Sequence, residues 1–194
     1  ITSSVAPAIT ALHRGLLDAG ADTADSVTDR RQLLAPELAQ ARAAARAAGE
    51  TPGDGTAMSP EYMSRVVGET LGSEAIVVNE LGLAPATMDF TRHDSYFGPA
   101  ISGGLGWGVP AALGIALAQK RAGDRHRQVV ACTGDGSYLF ANPAACHQTA
   151  AALGLGLLTI VADNRVWNAV RRATIAVYPE GRAVTSTTRP LPCC

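Results

Sequence analysis

The chain has 194 residues, of which 47% are hydrophobic and 17% are charged, and its formal net charge at pH 7 is −1. This length suits one domain with an appendage, and the composition suits a sheet buried by helices on both faces. No basic cluster is larger than the pair Arg171-Arg172, so neither a nucleic acid nor a membrane surface is expected as a partner. No apolar run approaches about 18 residues, so no segment is predicted to cross a bilayer.

The four cysteines show no metal-binding or redox spacing. Cys132 and Cys146 lie in apolar surroundings and are expected to be small buried hydrophobes, while Cys193-Cys194 are adjacent at the end of the chain. This usage predicts a reducing, cytoplasmic location. The chain shows no signal-peptide pattern and starts at Ile1 without a methionine, so residues before it are expected to be missing.

The first quarter of the chain is predicted to be helical. Apolar residues recur at helical spacing over residues 5–20, and an acidic, turn-rich segment is expected after Gly20. Residues 36–48 are rich in alanine and arginine, which is typical of a solvent-exposed linker helix. The TPGDG sequence at 51–55 is a clear break, so we place a domain boundary there, between residues 1–55 and a main domain of residues 56–194.

The main domain is predicted to be α/β, with an open, mostly parallel sheet and helices on both faces. Its expected elements, in chain order, are a helix capped by Ser59, a strand at 75–79, a long loop to Ser102, a glycine cluster at 103–108, a helix at 109–121, a strand at 129–133, a helix at 142–153, a strand at 157–162, a helix at 167–176, and a polar tail without a strand.

The most informative pattern is GDGS at 134–137 with Asn164 further along, because each follows a short apolar run. Such runs with a helix between them indicate neighbouring parallel strands, whose ends meet at the carboxyl edge of the sheet. The oxygens of Asp135 and Asn164 are hard ligands suited to Mg²⁺ that also binds a phosphate. Gly134 and Gly136 allow close approach of a diphosphate, and Ser137 lies near a helix start, where N–H groups attract anions.

GDGS followed by Asp163-Asn164 also resembles the thiamine diphosphate motif. Beyond the motif, residues 79–181 resemble the cofactor-binding domain of the acetolactate synthase and benzoylformate decarboxylase group, through NELGLA, HDSYFGPAISGGLGWGVPAALGIALA, GDGSYLFANPAACHQTA and DNRVWNAVRRAT. The resemblance implies the thiamine diphosphate- and Mg²⁺-binding part of an acetolactate synthase-like carboligase or decarboxylase. It also implies that the chain begins with the tail of a preceding domain and that the cofactor domain is truncated at its C-terminus.

The resemblance assigns further site residues. The carbonyl of Gly103 would accept a bond from the 4′-amino group of the cofactor, and Leu105 would prop the cofactor into a bent shape. The backbone carbonyl of Val166 would complete the protein's share of the Mg²⁺ octahedron. Trp167 matches a position that leans on the diphosphate, although a core aromatic is an alternative. Asp163 departs from the usual asparagine and adds a carboxylate beside the metal.

Partners follow from the same resemblance. The substrate would be a 2-oxo acid, and a glutamate from a separate pyrimidine-binding domain, of the same or a second subunit, would activate the cofactor. The diphosphate side holds Glu61, Glu69 and Glu80, so none of them is expected to be that glutamate. The chain alone is therefore expected to be inactive. It is also expected to self-associate. The intact enzyme would be a homodimer or homotetramer. No catalytic residue is assigned; His93, Asn142, His147 and Arg171-Arg172 show no spacing that requires acid or base chemistry.

Three alternatives remain open at this stage. Residues 106–111 match the G-x-G-x-x-A form of a nicotinamide dinucleotide motif, but no continuous apolar strand precedes them and no acidic strand end follows. Asn164 as a turn former at the end of a strand is the alternative to its role as a ligand, and its coupling to GDGS favours the ligand. At the level of the whole chain, the alternative function is a non-catalytic fragment or pseudoenzyme that acts as an oligomerisation module.

Overall fold

The computed structural model describes residues 4–99, 102–124 and 126–185. The chain divides into two compact units, residues 1–47 and 48–194. The domain boundary near residue 55 stays a prediction.

The first unit is helical. Helix α1 spans Val5–Ala19, as predicted, and α2 spans Ala21–Gly49 and so continues past the end of the unit. The expected turn-rich segment after Gly20 is wrong, because α2 begins at the next residue. Residues 21–35 contain neither glycine nor proline, so nothing in their backbone chemistry interrupts a helix. No residue of α1 is buried.

The second unit contains the sheet and its covering helices. Its elements are α3 (Pro60–Leu71), β1 (Ile76–Glu80), a 3-10 turn (Pro85–Thr87), β2 (Tyr96–Phe97), α4 (Gly108–Ala122), β3 (Val129–Gly134), α5 (Asp135–Phe140), α6 (Pro143–Leu153), β4 (Leu158–Ala162), α7 (Asn168–Val177) and α8 (Arg182–Thr185). The predicted cap of α3 is confirmed: the Ser59 hydroxyl accepts the Tyr62 N–H at 3.1 Å, and Pro60 occupies the first turn.

The four strands form one parallel sheet in the order β2-β1-β3-β4. This confirms the predicted α/β class and the parallel pairing of the three predicted strands. In register, Ile76 lies opposite Val129 and Gly134 lies opposite Ala162, so β1, β3 and β4 end at the same edge. Strand β2 lies inside the segment predicted as a long loop. The sequence did not indicate this strand because two residues are too few to show an alternating pattern. Helix α8 lies in the expected polar tail, whose residues beyond 185 are outside the described part.

Apolar clusters cover both faces of the sheet. On one face Val78, Val129 and Ala131 pack against residues of α4 and α6. On the other face Val77, Val130 and Cys132 pack against residues of α3 and the segment after β1. Strand β4 is at an edge, and its Leu158 and Val161 remain 39% and 38% exposed. β1 and β3 are therefore the buried centre of the sheet, and part of the candidate site follows their ends.

The Cys132 thiol is expected to resist alkylation and disulfide exchange in the folded chain. Its side chain is 1% exposed, and this burial raises the pKa of the thiol to about 12. Because the thiolate is the reactive form, labelling of Cys132 at pH 8 should require unfolding. Thiol titration in a Cys146→Ala, Cys193→Ser, Cys194→Ser background, with and without denaturant, measures this. Rapid labelling of Cys132 under native conditions would contradict the predicted burial.

Candidate functional site

A cleft of about 370 Å³ lies at the carboxyl edge of the sheet. Its lining comes from the ends of β1, β3 and β4, from the segment before α4 and from the start of α7. The lining residues are Leu81, Leu105, Gly134, Asp135, Gly136, Ser137, Asn164, Val166, Trp167, Asn168, Ala169, Val170 and Arg172. The structure thus brings together all the sequence-predicted site residues except Gly103. Their roles toward a cofactor or a metal remain predictions.

Asp135 is the buried acidic group of this cleft. It directly follows β3 as the first residue of α5, and its side chain is only 9% exposed. Its Oδ2 atom is buried and has no hydrogen-bond partner among the described residues. A buried acceptor without a donor is costly, so such an atom points to a group that the protein itself does not supply. A divalent cation fits this requirement, because carboxylate oxygen is the ligand type that Mg²⁺ prefers.

Gly136 packs closely against an aromatic ring. A Cβ atom on Gly136 would lie 3.3 Å from Cε3 of the Trp167 ring, so the indole lies directly against the backbone there. The Trp167 ring also makes an edge-to-face contact with Phe140, with 5.2 Å between centroids. Trp167 therefore has packing partners of its own as well as a place in the cleft wall, and both interpretations of this residue retain support.

The loop after β4 is shaped by its own side chains. The Asn164 Oδ1 accepts the Val166 N–H at 2.9 Å, and the Asp163 Oδ1 accepts the Arg165 N–H at 2.8 Å. These paired turns accommodate Arg165 at a φ of +56°. Asn164 therefore does act as a turn former, but an amide oxygen has two lone pairs, so one stays available to a cation. Asp163 accepts a hydrogen bond that stabilises the turn, and an asparagine at this position would accept the same bond.

Gly103 lies outside the cleft lining, in the glycine loop that we define as residues 103–108. Its φ is +66°, and a Cβ atom there would meet nothing within 4 Å. Backbone conformation is thus a sufficient reason for glycine at this position, apart from any collision with a cofactor. The loop does not join a strand directly to a helix, since β2 ends at Phe97 and α4 begins at Gly108. This arrangement lacks the strand–turn–helix context of a dinucleotide motif.

The sequence did not reveal the roles of Asn79 and Glu80. At the end of β1, the Asn79 Oδ1 accepts the N–H groups of Gly82 and Leu83 at 3.0 and 2.9 Å. The Glu80 carboxyl group is 1% exposed and accepts the N–H groups of Gly106 and Gly108. In the sequence, Asn79 and Glu80 are two polar residues at the end of a buried strand, and this position predicted that they lie at the edge of the sheet. It did not identify partners as distant as residues 106 and 108.

The described part of the chain holds neither a clustered metal site of charged or thiol side chains nor a membrane-spanning helix. Among these residues, no group of three or more His, Cys, Asp or Glu side chains is placed to hold a metal ion. The predicted Mg²⁺ site does not require such a group, because its ligands are one carboxylate, one amide and one backbone carbonyl. In the same part of the chain, no helix combines the length and apolar character needed to cross a membrane.

Comparisons with known proteins agree on one family. Residues 80–192 match the family model described as the C-terminal thiamine pyrophosphate-binding domain of thiamine pyrophosphate enzymes. A benzoylformate decarboxylase of Pseudomonas aeruginosa is 39% identical over 89 residues, which are 43% of this chain and 16% of that protein. The solved structure of a thiamine diphosphate-dependent 4-hydroxybenzoylformate decarboxylase of Rhodococcus jostii RHA1 is similar with a TM-score of 0.58 and 28% identity.

The chain corresponds to a limited part of these relatives. The structural match covers 72% of this chain but 25% of the Rhodococcus protein, and the Pseudomonas match covers still less of its partner. The family match covers more than half of the present chain and contains Glu80, the glycine loop, Asp135 and Asn164. The chain belongs to the thiamine pyrophosphate enzyme family, through its C-terminal thiamine pyrophosphate-binding domain.

Proposed function

We propose that the carboxyl-edge cleft binds the diphosphate of thiamine diphosphate together with Mg²⁺, as the cofactor half of a 2-oxo acid decarboxylase or carboligase. The observation that carries this proposal is the buried Asp135 Oδ2 without a donor among the described residues, in a cleft shared with Asn164 and Val166. Such a combination of carboxylate, amide and backbone oxygens suits Mg²⁺ that is also bound to phosphate.

The proposed roles fall to residues of the cleft and to Gly103 beside it. Asp135, Asn164 and the Val166 carbonyl hold the metal, and the backbone at Gly134, Gly136 and Ser137 approaches the diphosphate. Leu105 contacts the organic part of the cofactor, with the Gly103 carbonyl as acceptor for its amino group, and Trp167 leans on the diphosphate. When bound, thiamine diphosphate supplies the electron sink that accepts the electrons of a 2-oxo acid as CO₂ leaves.

The named relatives bear on the type of reaction. Both are decarboxylases by name, of benzoylformate and 4-hydroxybenzoylformate. We therefore favour decarboxylation of a 2-oxo acid, and carboligation of the acetolactate synthase type remains the second candidate from the sequence resemblance alone. The cytoplasmic location stays a prediction from the cysteines.

The activating glutamate is proposed to come from a pyrimidine-binding domain outside the chain described here. Glu80 is buried and bound to two backbone N–H groups, and Glu69 is paired with Arg65 at 2.7 Å on α3. Neither carboxyl group lines the cleft. The chain alone is therefore expected to bind cofactor without turning over a 2-oxo acid.

The test of the proposed function is calorimetric titration of the full chain with thiamine diphosphate, with and without Mg²⁺. Binding that requires Mg²⁺ and raises the melting temperature supports the proposal, because a ligand specific for the folded state stabilises it by mass action. Absence of binding under both conditions would contradict it. Addition of the upstream pyrimidine domain then separates an enzyme from a non-catalytic oligomerisation module, since only the enzyme would release CO₂ from a 2-oxo acid.

Self-association of the chain is expected, with the intact enzyme a homodimer or homotetramer. Large apolar side chains are exposed beside the cleft, where Leu81, Phe140 and Val170 are all more than half exposed. Clusters of this kind commonly mark an interface. Sedimentation velocity over a range of protein concentrations measures the association. A monodisperse monomer at every concentration would contradict the expected interface.

A further inference from the structure

Glu80 is the most completely buried acidic side chain of the second unit, and it makes no ion pair among the described residues. It ends β1, and its side chain is 1% exposed. Its Oε1 accepts the Gly106 N–H, and its Oε2 accepts the Gly108 N–H at 2.5 Å. A buried carboxyl group is costly unless it is well bonded, so its two donors indicate a specific role for this side chain.

The two contacts hold the glycine loop on both sides of Trp107. Gly106 has a φ of +90°, and a Cβ atom there would lie 2.9 Å from the carbonyl carbon of Phe140. A Cβ atom on Gly108 would lie 2.9 Å from the Glu80 Oε2 itself. Glycine at both positions therefore allows the carboxyl group and α5 to approach the loop backbone closely.

Both oxygens of Glu80 act as acceptors, which only a carboxylate of this length provides. A glutamine would keep one acceptor and point its own N–H₂ donor at a backbone N–H. An aspartate would keep both oxygens but is one methylene too short to reach both donors from the same strand position. The site is therefore specific for glutamate in chemistry and in length.

We propose that Glu80 is a positioning residue for the cofactor. By fixing the glycine loop at Gly106 and Gly108, it sets the place of the neighbouring Leu105 in the cleft wall, and so aligns the organic part of thiamine diphosphate. The diphosphate end is held separately, by Asp135 and the backbone that follows β3. This inference rests on the proposed function, and it extends the site to a residue that does not line the cleft.

The test compares two ligands on the full chain in saturating Mg²⁺: thiamine diphosphate and inorganic diphosphate. Both use the metal and the diphosphate position, but only thiamine diphosphate depends on the glycine loop. Glu80→Gln is expected to weaken thiamine diphosphate binding by about tenfold and inorganic diphosphate binding by less than about threefold. A merely structural defect would weaken both ligands equally, so the ratio of the two affinities is the decisive measurement.

Glu69→Gln is the matched control, because it removes one carboxylate from an exposed ion pair of the same unit. It should leave both affinities unchanged. An unchanged ratio for Glu80→Gln, with both ligands still binding, would overturn the positioning role and leave the proposed function intact. Failure of the unaltered chain to bind either ligand would overturn the proposed function and this inference with it.

A second variant covers the case in which Glu80→Gln does not fold. Gly108→Ala introduces a Cβ against Oε2 at the first residue of α4, where alanine has the better helix propensity. The fold should therefore survive while the loop is displaced. The affinity for thiamine diphosphate, relative to the affinity for inorganic diphosphate, should fall as it does for Glu80→Gln. Combining Gly108→Ala with Leu105→Ala should add little further loss, because both act through the same contact. Full additivity, or an unchanged ratio in Gly108→Ala, would overturn the inference.

Discussion

Replacing Asp135 by alanine is expected to abolish the Mg²⁺ dependence of thiamine diphosphate binding without unfolding the chain. In the proposed site, Asp135 supplies the carboxylate among the metal ligands, so its loss removes most of the protein's charge attraction for the cation. We expect the affinity for the cofactor in Mg²⁺ to fall by at least about 100-fold, since loss even of groups outside the ligand shell costs about 10–100-fold.

The same substitution has an unusual expected effect on the unliganded protein. The Asp135 Oδ2 is buried without a donor in the described structure, so alanine removes an unsatisfied acceptor instead of breaking a bond. The apo chain should therefore be equally stable or slightly more stable than the unaltered chain. Differential scanning calorimetry with and without Mg²⁺ and cofactor separates the two effects, because only the ligand-induced increase in melting temperature should disappear.

Asp124→Ala provides the matched control. Asp124 is a half-buried aspartate of the same unit, but it lies between α4 and β3, at the opposite edge of the sheet. Its removal should change neither the affinity for the cofactor nor its dependence on Mg²⁺. Retention of Mg²⁺-dependent binding by Asp135→Ala would refute the assignment of the metal site, whatever happens to stability.

Much of the fold was predictable because the central strands are buried on both faces. β1 and β3 therefore begin with apolar runs that are easy to recognise, and β4 is similarly apolar although it lies at the edge of the sheet and is less buried. The crossover between β3 and β4 then required the two strands to be parallel and brought their ends to one edge. For the same reason the sequence sufficed to place GDGS and Asn164 in one cleft.

Other features depend on contacts that no local pattern encodes. β2 has two residues and exists because it pairs with β1. The contact of Glu80 with the glycine loop joins residues 26 and 28 positions apart. Polar residues at the end of a strand indicate a site, but their hydrogen-bond partners are determined only when distant segments pack together.

Gly106→Ala is expected to destabilise the second unit by about 3 kcal/mol, from left-handed backbone strain and overpacking together. The φ of Gly106 is +90°, a conformation that alanine rarely adopts. In addition, the new Cβ would lie 2.9 Å from the carbonyl carbon and the Cβ of Phe140, which are too rigidly placed in α5 to move cheaply. For a domain of this size, such a loss lowers the melting temperature by on the order of 10 °C.

Gly104→Ala is the control that isolates these causes, because it lies in the same loop but outside the left-handed region, and nothing lies within 4 Å of its Cβ position. Urea unfolding of both variants should show a large loss for Gly106→Ala and little change for Gly104→Ala. Gly106→Ala should also weaken cofactor binding, because Phe140 packs edge-on against Trp167 in the cleft wall and a displaced Phe140 moves that indole. Equal stability of the two variants would mean that the loop does not pack on α5 as described.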